Sequence, residues 1–229
     1  MKKRLTIDIS AVILTGGTSK GFPDDKGTML LDNKVLIRHV FDIVNALVDE
    51  VIIVTNTQER ADRYAKFLPK TVKFTIDNQQ TTNVVGEVIA GFEAAQGKYA
   101  LLLSYDAPFV NKNLAQFLID LAMGKTAAVS RTPDNEIEPL CAVYQTKTVL
   151  EIAKQTVIDE GVMTADLWAI VEKLRGVRYI SMSVIKQIDP ELHSFFSINT
   201  PLEFKRATLW LQRKQKPPGK HQKKQLPFY

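Results

Sequence analysis

The sequence predicts an α/β fold: a doubly wound, mainly parallel, Rossmann-like sheet with helices on both faces, in three α/β/α layers. The first indication is a set of continuous apolar runs rich in β-branched residues, such as DISAVILT at 8–15 and EVIIVTN at 50–56. Strands that are buried on both faces are apolar without alternation. The second indication is that segments of about 10 to 15 residues with helical spacing separate these runs. Together they give parallel strands joined by right-handed crossovers.

The regular part of this pattern lies before about residue 125. Strands are expected over 8–15, 50–56, 71–77 and 98–106. Helices are expected over 34–47, 57–68, 85–96 and 113–123. In the first helix, for example, Leu36, Val40 and Ile43 recur near helical spacing, which predicts one buried face.

The second half is less regular but ends in a well-marked helix. Further strands are expected over 126–132, 138–145 and 177–184, and helices over 147–157 and 163–174. Near the end, Thr200 has the position of an N-cap, with Pro201 in the first turn and Glu203 three residues after the cap. This is the pattern of a capping box, so a helix should begin there.

Composition limits the class of protein. The apolar fraction is 45%, which is ordinary for a globular chain with a sizeable core. No apolar run approaches the roughly 18 residues of a membrane span, and no signal-peptide cleavage site follows the first strand, so a cytoplasmic location is expected. The single cysteine, Cys141, excludes an internal disulfide. With only three histidines beside it, the usual structural zinc sites are also excluded.

The positive charge is concentrated in a basic tail, residues 213–229. Six of the 30 Lys and Arg residues lie there without any acid, so removing them from the net charge of +5 leaves about −1 for residues 1–212. A body with this balance does not favour nucleic acid as a partner. The tail is expected to be flexible. Its two open interpretations are a solvated extension and a docking arm for a partner, RNA or an anionic surface.

A glycine-rich loop, LTGGTSKGFPDDKGT at 14–28, follows the first strand. Gly16 and Gly17 permit close approach of the backbone to a ligand, and successive N–H groups there can surround an anion. Lys26 adds a point charge that suits a phosphate. Neither G-x-G-x-x-G nor G-x-x-x-x-G-K-[ST] is present. By these general rules alone, phosphate binding and a plain strand-to-helix turn both remain open.

Asp106 ends the fourth apolar strand, in the segment YDAPF. A carboxylate at the end of a buried strand is costly to bury without a partner. One carboxylate together with substrate phosphates is a common way to hold Mg²⁺, and a turn or N-cap role is the alternative. Ligands of open α/β sheets bind outside the carboxyl ends of the strands, which is where Asp106 and the glycine-rich loop are expected to meet.

Four segments in the same order resemble one family. LTGG with DKG, then YDAPF, EPLCAVY and FFSINTPLEF together are similar to motifs of the molybdenum cofactor guanylyltransferases. These belong to the nucleotidyltransferases of glycosyltransferase-A type fold, whose sheet is of the nucleotide-diphospho-sugar transferase type. Each motif is weak alone, but four in register over residues 11 to 206 are fairly specific. The resemblance implies one nucleotidyltransferase domain over 1–212, with a nucleotide-binding half (1–125) and an acceptor-side half (126–212).

The reaction that the resemblance implies is transfer of GMP from GTP to molybdopterin carrying molybdenum or tungsten, with pyrophosphate as the second product. Mg²⁺ is the implied cofactor. GTP and the molybdopterin cofactor are the implied small-molecule partners, and an apo-molybdoenzyme or another cofactor-biosynthesis protein is a further expected partner. Such a transfer depends mainly on positioning and on neutralising charge.

The resemblance also implies roles for residues that match the motifs. Leu14, Gly16 and Gly17 would form the loop over guanine and the triphosphate. Lys26 would bind phosphate and stabilise the pentavalent transition state.

Three further positions complete the implied site. Asp77 matches the family's acid near the guanosine, Asp106 would hold Mg²⁺ between the α- and β-phosphates, and Asn199 would contact the acceptor or metal side. Lys26 and Asp106 are thus the expected catalytic pair.

This chain departs from the family motifs at several positions. Aligned on the two glycines and on Asp-Lys, the family arginine falls on Gly21, its methionine on Phe22 and its glycine on Pro23. Glu138 replaces a histidine, and Tyr105 replaces a cysteine or small residue. The missing arginine removes a planar triphosphate contact, and proline removes a backbone N–H. A divergent member with altered nucleotide preference or activity is therefore expected.

Two other function classes stay open at this stage. One is a cytidylyltransferase or a sugar- or alditol-phosphate nucleotidyltransferase, although the double glycine and the DAPF segment favour GTP. The other is a non-enzymatic protein that binds a nucleotide and delivers the cofactor. The presence of both Lys26 and Asp106 argues for catalysis.

Overall fold

The computed structural model describes residues 9–17, 21–22, 24–77, 84–161 and 163–215. The strands are β1 Ile9–Leu14, β2 Leu30–Leu31, β3 Lys34–Val35, β4 Glu50–Thr55, β5 Lys73–Ile76, β6 Tyr99–Ser104, β7 Ala127–Arg131, β8 Ile137–Gln145 and β9 Val177–Ser181. The α-helices are α1 Leu36–Val44, α2 Gln58–Ala65, α3 Val84–Ala94, α4 Lys112–Ala122, α5 Thr146–Glu160, α6 Leu167–Lys173, α7 Met182–Ile188 and α8 Pro201–Gln215. In these described residues, no helix is both long and apolar enough to cross a membrane.

Seven of the strands form one sheet in the order β5-β4-β1-β6-β8-β7-β9. All are parallel to one another except β8, which is antiparallel to both of its neighbours. β8 is reversed because a tight turn joins it to β7, with Asn135 at φ 67° and a hydrogen bond from the Thr132 N–H to the Glu136 carbonyl. The prediction of a mainly parallel α/β sheet is confirmed.

Each face of the sheet carries its own hydrophobic core. In β1, Ala11 and Ile13 face one core, which α1, α4 and α7 cover, while Val12 and Leu14 face the other, which α3, α5 and α6 cover. Burial on both faces explains why the strand sequence is apolar without alternation. A smaller cluster around Leu36 packs α8 beside the β2–β3 hairpin.

The expected elements are present, but several boundaries were wrong. For example, the helix predicted over 163–174 begins only at Leu167, after Asp166 as its N-cap. The helix predicted over 34–47 begins only at Leu36, because Asp32 and Asn33 both have positive φ and close the β2–β3 hairpin. The strand predicted over 177–184 ends at Ser181, where α7 begins and buries Ile185. Short apolar runs fit a strand or a buried helix equally well, so spacing could not locate that junction.

The capping box of the last helix is confirmed. The Glu203 carboxylate accepts from the Thr200 N–H at 2.8 Å, and the Thr200 hydroxyl lies 3.2 Å from the Glu203 N–H. The helix continues to Gln215, so its end overlaps the start of the basic tail. Residues 216–229 of that tail lie outside the described residues.

Candidate active site

The carboxyl ends of β1, β4, β5 and β6 meet at one edge of the sheet. Backbone hydrogen bonds hold the segments that leave them: the Thr15 N–H donates to the Val54 carbonyl, and the Tyr105 N–H donates to the Leu14 carbonyl. The Asp77 N–H donates likewise to the Thr55 carbonyl at 2.8 Å. The glycine-rich loop and the two strand-terminal acids are therefore close in space, as expected for an open α/β sheet.

Lys26 and Asp106 form a buried ion pair. The Lys26 Nζ lies 2.7 Å from Asp106 Oδ2 and also donates to the Ile198 carbonyl at 2.6 Å. Relative exposure is 3% for Lys26 and 7% for Asp106. The Ser104 hydroxyl donates to the other carboxylate oxygen of Asp106 at 2.7 Å. Three distant parts of the sequence thus meet at one ammonium group.

A second polar cluster lies directly behind Lys26, and we call it the Asp25 cluster (Asp25, Arg60 and Tyr64). The Asp25 carboxylate accepts from the Gly27 N–H at 2.9 Å and from the Tyr64 hydroxyl at 2.7 Å. It also pairs with Arg60 Nε at 2.8 Å. Burial raises the pKa of Tyr64, so the hydroxyl remains a donor. For Arg60, burial is outweighed by Tyr64 and Asp25, which raise the guanidinium pKa.

Gly16 and Asp77 meet at a third group, the carboxyl of Glu87 in α3. The Gly16 N–H donates to Glu87, and a Cβ at position 16 would lie 1.8 Å from Glu87 Oε1. Burial, together with the negative charge of Asp77, raises the pKa of Glu87 to about 8. Because of this contact, only glycine fits at position 16. Because its pKa is raised, Glu87 is mostly protonated at neutral pH.

A cavity of about 530 Å³ opens between the glycine-rich loop and the start of α2. It is lined by Gly17, Phe22, Asp24, Asp25, Asn56, Thr57, Glu59, Arg60 and Arg63. Gly17 has φ 84°, a backbone conformation that favours glycine, and is exposed at the rim. The cavity is therefore bordered by Gly17, which the sequence predicted as a site residue. It is also bordered by the guanidinium groups of Arg60 and Arg63, which the sequence did not predict.

The remaining expected site residues have different environments. Leu14 is a core residue that is 3% exposed and contributes its backbone carbonyl to the site edge. Asn199 is exposed, and its N–H donates to Glu203 at 2.7 Å, so it follows Ile198 but makes no direct bond to Lys26 among the hydrogen bonds of the described residues. Pro23 lies outside the described residues.

The departures from the family motifs also have structural settings. A Cβ at Gly21 would lie 3.5 Å from the Pro201 ring, and the Phe22 and Phe204 rings meet edge to face at 6.2 Å. This part of the loop therefore packs on the start of α8. Glu138 is at the beginning of β8, where burial and the nearby Glu136 raise its pKa.

Sequence reasoning missed Arg60, Tyr64 and Glu87. Weak evidence for the first two was available, because they are four residues apart in the predicted helix 57–68 and therefore share a face. Glu87 was also detectable as a single acid within the apolar segment VVGEVIAGF. What could not be read from sequence was which loop each of these side chains faces.

The site defines a class of protein. A mainly parallel α/β sheet with a glycine-rich loop after β1 and a buried lysine–aspartate pair at its carboxyl edge is the framework of an α/β protein that binds its ligand at that edge. A family model described as the MobA-like NTP transferase domain matches residues 11–175. The chain belongs to this family.

Individual relatives are similar over most of the chain. The molybdenum cofactor guanylyltransferase of Desulfosudis oleivorans is 30% identical over 200 residues, covering 87% of this chain and 94% of the relative. The probable molybdenum cofactor guanylyltransferase of Methanosarcina acetivorans is 27% identical over 206 residues, covering 87% and 90%.

Solved structures with the same fold include two enzymes of different specificity. Molybdopterin-guanine dinucleotide biosynthesis protein A from Archaeoglobus fulgidus has a TM-score of 0.73 at 22% identity, over 89% of this chain and 99% of that one. The 2-C-methyl-D-erythritol 4-phosphate cytidylyltransferase of Thermus thermophilus has a TM-score of 0.64 at 16% identity, over 90% and 99%. At these identities the likeness establishes the fold alone.

Proposed function

We propose that this nucleotidyltransferase transfers GMP from GTP to the molybdopterin form of the molybdenum or tungsten cofactor, giving the guanine dinucleotide cofactor and pyrophosphate. The relatives' names support the substrate pair. The observation that carries the proposal is the buried contact of 2.7 Å between Lys26 and Asp106 at the carboxyl edge of the sheet. These two groups occupy the place where the sheet directs a bound ligand.

The chemical step is an in-line displacement at phosphorus. A terminal phosphate oxygen of the pterin attacks the α-phosphorus of GTP, and the bond from that phosphorus to the oxygen bridging the β-phosphate breaks. The bonding electrons leave with pyrophosphate. Lys26 lowers the energy of the transition state because its charge faces oxygens on which negative charge accumulates. Its donation to the Ile198 carbonyl fixes the direction of the ammonium group.

Asp106 is the proposed ligand for Mg²⁺. The described residues contain no group of three or more His, Cys, Asp or Glu side chains that could hold a metal. One carboxylate nevertheless fits this ion, because Mg²⁺ in such sites takes its remaining ligands from substrate phosphates and water. Bound there, Mg²⁺ would neutralise charge on the phosphate oxygens. The Ser104 hydroxyl orients the carboxylate through Oδ1.

The cavity beside Gly17 supports a role for α2 in nucleotide binding. Gly21 stands where related motifs have an arginine, so the described loop has no guanidinium of its own. Arg63 lines the cavity and pairs with the exposed Glu59, a weak interaction that a phosphate can replace. Arg63 is therefore our candidate for the planar triphosphate contact.

A nucleotide panel tests the base assignment. Melting temperature is measured with GTP, CTP, UTP and ATP, each with Mg²⁺, and GTP should give the largest increase. A larger increase with CTP would instead favour the cytidylyltransferase alternative. Equal increases with all four nucleotides would contradict the guanine assignment.

A transfer assay tests the role of Asp106. With GTP labelled at the α-phosphate, Asp106→Asn should lower the rate of transfer to molybdopterin by about 100-fold or more, because a metal carboxylate is lost. Asp120→Asn, at an exposed position in α4, is the matched control and should transfer at the wild-type rate. A wild-type rate in Asp106→Asn would refute the metal role.

A further inference from the structure

The Asp25 cluster connects α2 to the residue that precedes Lys26. Asp25 is the N-cap of a short 3-10 turn over Lys26–Thr28, and its carboxylate accepts from the Gly27 N–H. The other contacts of this carboxylate come from α2: the Tyr64 hydroxyl at 2.7 Å and Arg60 Nε at 2.8 Å. The backbone on both sides of Lys26 is therefore fixed from one helix.

Close packing leaves little freedom in this connection. A Cβ at Gly27 would lie 2.4 Å from the Tyr64 hydroxyl oxygen, so the turn rests directly against that side chain. Tyr64 is completely buried, and Arg60 is 9% exposed. Movement of the tyrosine hydroxyl would consequently be transmitted to the backbone of the turn.

Tyr105 extends the same cluster to the lysine ammonium itself. Its ring lies 5.0 Å from Lys26 Nζ and 5.7 Å from the Arg60 guanidinium carbon. Two cations therefore share contact with one aromatic ring, which favours a single arrangement of both.

We propose that Arg60 and Tyr64 are positioning residues that fix Asp25 and thereby hold the Lys26 ammonium at the reacting phosphate. This inference rests on the proposed function, in which Lys26 stabilises the transition state. A buried ion pair contributes little net stability, because desolvation offsets its attraction. It does fix the direction of the charged groups, and a small displacement of a catalytic group lowers the reaction rate considerably. Lysine needs such support because its stem is long and flexible.

The kinetic test is a double-mutant cycle with Tyr64→Phe, which removes one hydroxyl and keeps the ring. In the wild-type background, Tyr64→Phe should lower kcat by about tenfold and leave the KM for GTP within about twofold. In a Lys26→Met background, measured in single turnover with enzyme in excess, the same change should have less than about a twofold effect. Equal effects in both backgrounds would overturn the positioning role.

Two comparisons separate positioning from general stability. Tyr99→Phe removes another buried hydroxyl, the one that accepts from the Gly124 N–H away from the site, and should leave kcat unchanged. Arg60→Lys keeps the charge without the planar fork and should lower kcat less than Arg60→Met. If Tyr64→Phe does not fold, Arg60→Lys and Arg60→Met replace it in the double-mutant cycle with Lys26→Met.

A readout that requires no turnover distinguishes failure of this inference from failure of the proposed function. Lysine side chains are labelled with a trace of an amine-selective acylating reagent, and the labelling rate of Lys26 is measured by mass spectrometry. Tyr64→Phe should raise that rate severalfold, whereas Tyr99→Phe should not. An unchanged rate refutes positioning. A Lys26→Met variant that transfers GMP at the wild-type rate refutes the proposed role of Lys26 instead.

Discussion

At the residue scale, Glu87 is a carboxyl group buried beside a second acid. It is 6% exposed and shares its surroundings with Asp77, Arg60 and the Gly16 N–H. Burial and the Asp77 charge disfavour ionisation, while the guanidinium and the N–H favour it. The net result is a folded-state pKa of about 8, against 4.5 for an unperturbed glutamate.

This shift predicts a particular dependence of stability on pH. Because the folded pKa is raised, the folded state binds more protons than the unfolded state between about pH 4.5 and 8. The contribution of Glu87 to the free energy of unfolding is therefore fully present below pH 4.5 and is lost as the pH rises to about 8. Glu87→Gln cannot ionise, so it should become more stable than wild type by a few kcal/mol, in order of magnitude, at pH 9.

Urea denaturation at pH 5, 7 and 9 measures the effect. The difference between Glu87→Gln and wild type should be small at pH 5 and grow with pH. Glu172→Gln, at an exposed position in α6, is the matched control and should follow the wild-type curve. Parallel curves for Glu87→Gln and wild type would contradict the assignment of a raised pKa.

At the element scale, α3 packs unusually close to the sheet through Gly91. A Cβ there would lie 2.4 Å from Val12 Cγ1 in β1 and 2.9 Å from Val54 Cγ2 in β4. The absence of a side chain lets the helix approach, and the same approach places Glu87, one turn earlier, against Gly16. Helix propensity alone would favour alanine at position 91 by about 1 kcal/mol.

Gly91→Ala should therefore destabilise the protein, because overpacking outweighs propensity. We expect a loss of about 1 to 3 kcal/mol in the free energy of unfolding, measured in urea. The double variant Gly91→Ala with Val12→Ala should lose less stability than the sum of the two single losses, because Val12→Ala removes the Cγ1 methyl that the new Cβ at position 91 would meet. A stabilised Gly91→Ala variant would show that the helix shifts at no cost.

Predicting elements from sequence succeeded where pattern and chemistry are local. The capping box at Thr200 and the apolar parallel strands are both local patterns, and both are confirmed. The reversed direction of β8 depends on a turn at 132–136 whose effect on pairing is not local. Helix α7 was missed because seven residues contain too few turns for a clear period.

At the scale of the whole molecule, the Lys26 ammonium joins three regions far apart in sequence. Its partners are Asp106 at the end of β6 and the carbonyl of Ile198 just before α8. The Ile198 N–H in turn donates to the Asp106 carbonyl at 2.9 Å. The last helix is thus attached to the site through main-chain bonds as well as through the packing of Phe22 on Phe204.

Removing only one charge of the Lys26–Asp106 pair should destabilise the protein more than removing both charges. Lys26→Met leaves Asp106 buried without its cation and should cost about 3 to 5 kcal/mol of unfolding free energy. Lys26→Met with Asp106→Asn should recover a large part of that loss. The exposed pair Lys34 and Asp42 is the control, where the same two changes should cost less than about 1 kcal/mol.

Urea denaturation without nucleotide measures all of these variants. If the buried double variant is no more stable than Lys26→Met alone, the charge of Asp106 is compensated by something other than Lys26. The Ser104 hydroxyl, 2.7 Å from Oδ1, would then be the first group to replace.

The sequence by itself determined the α/β class, the apolar strands, the last helix and the family, because these depend on local periodicity, local caps and motif order. It also selected Lys26 and Asp106 as candidate site residues. Only the tertiary structure decided that these two groups pair directly, that Asp25 is held by Arg60 and Tyr64, and that Glu87 lies against Gly16. Those contacts join residues 35 to 80 positions apart, and their geometry is set by how the helices pack on the sheet.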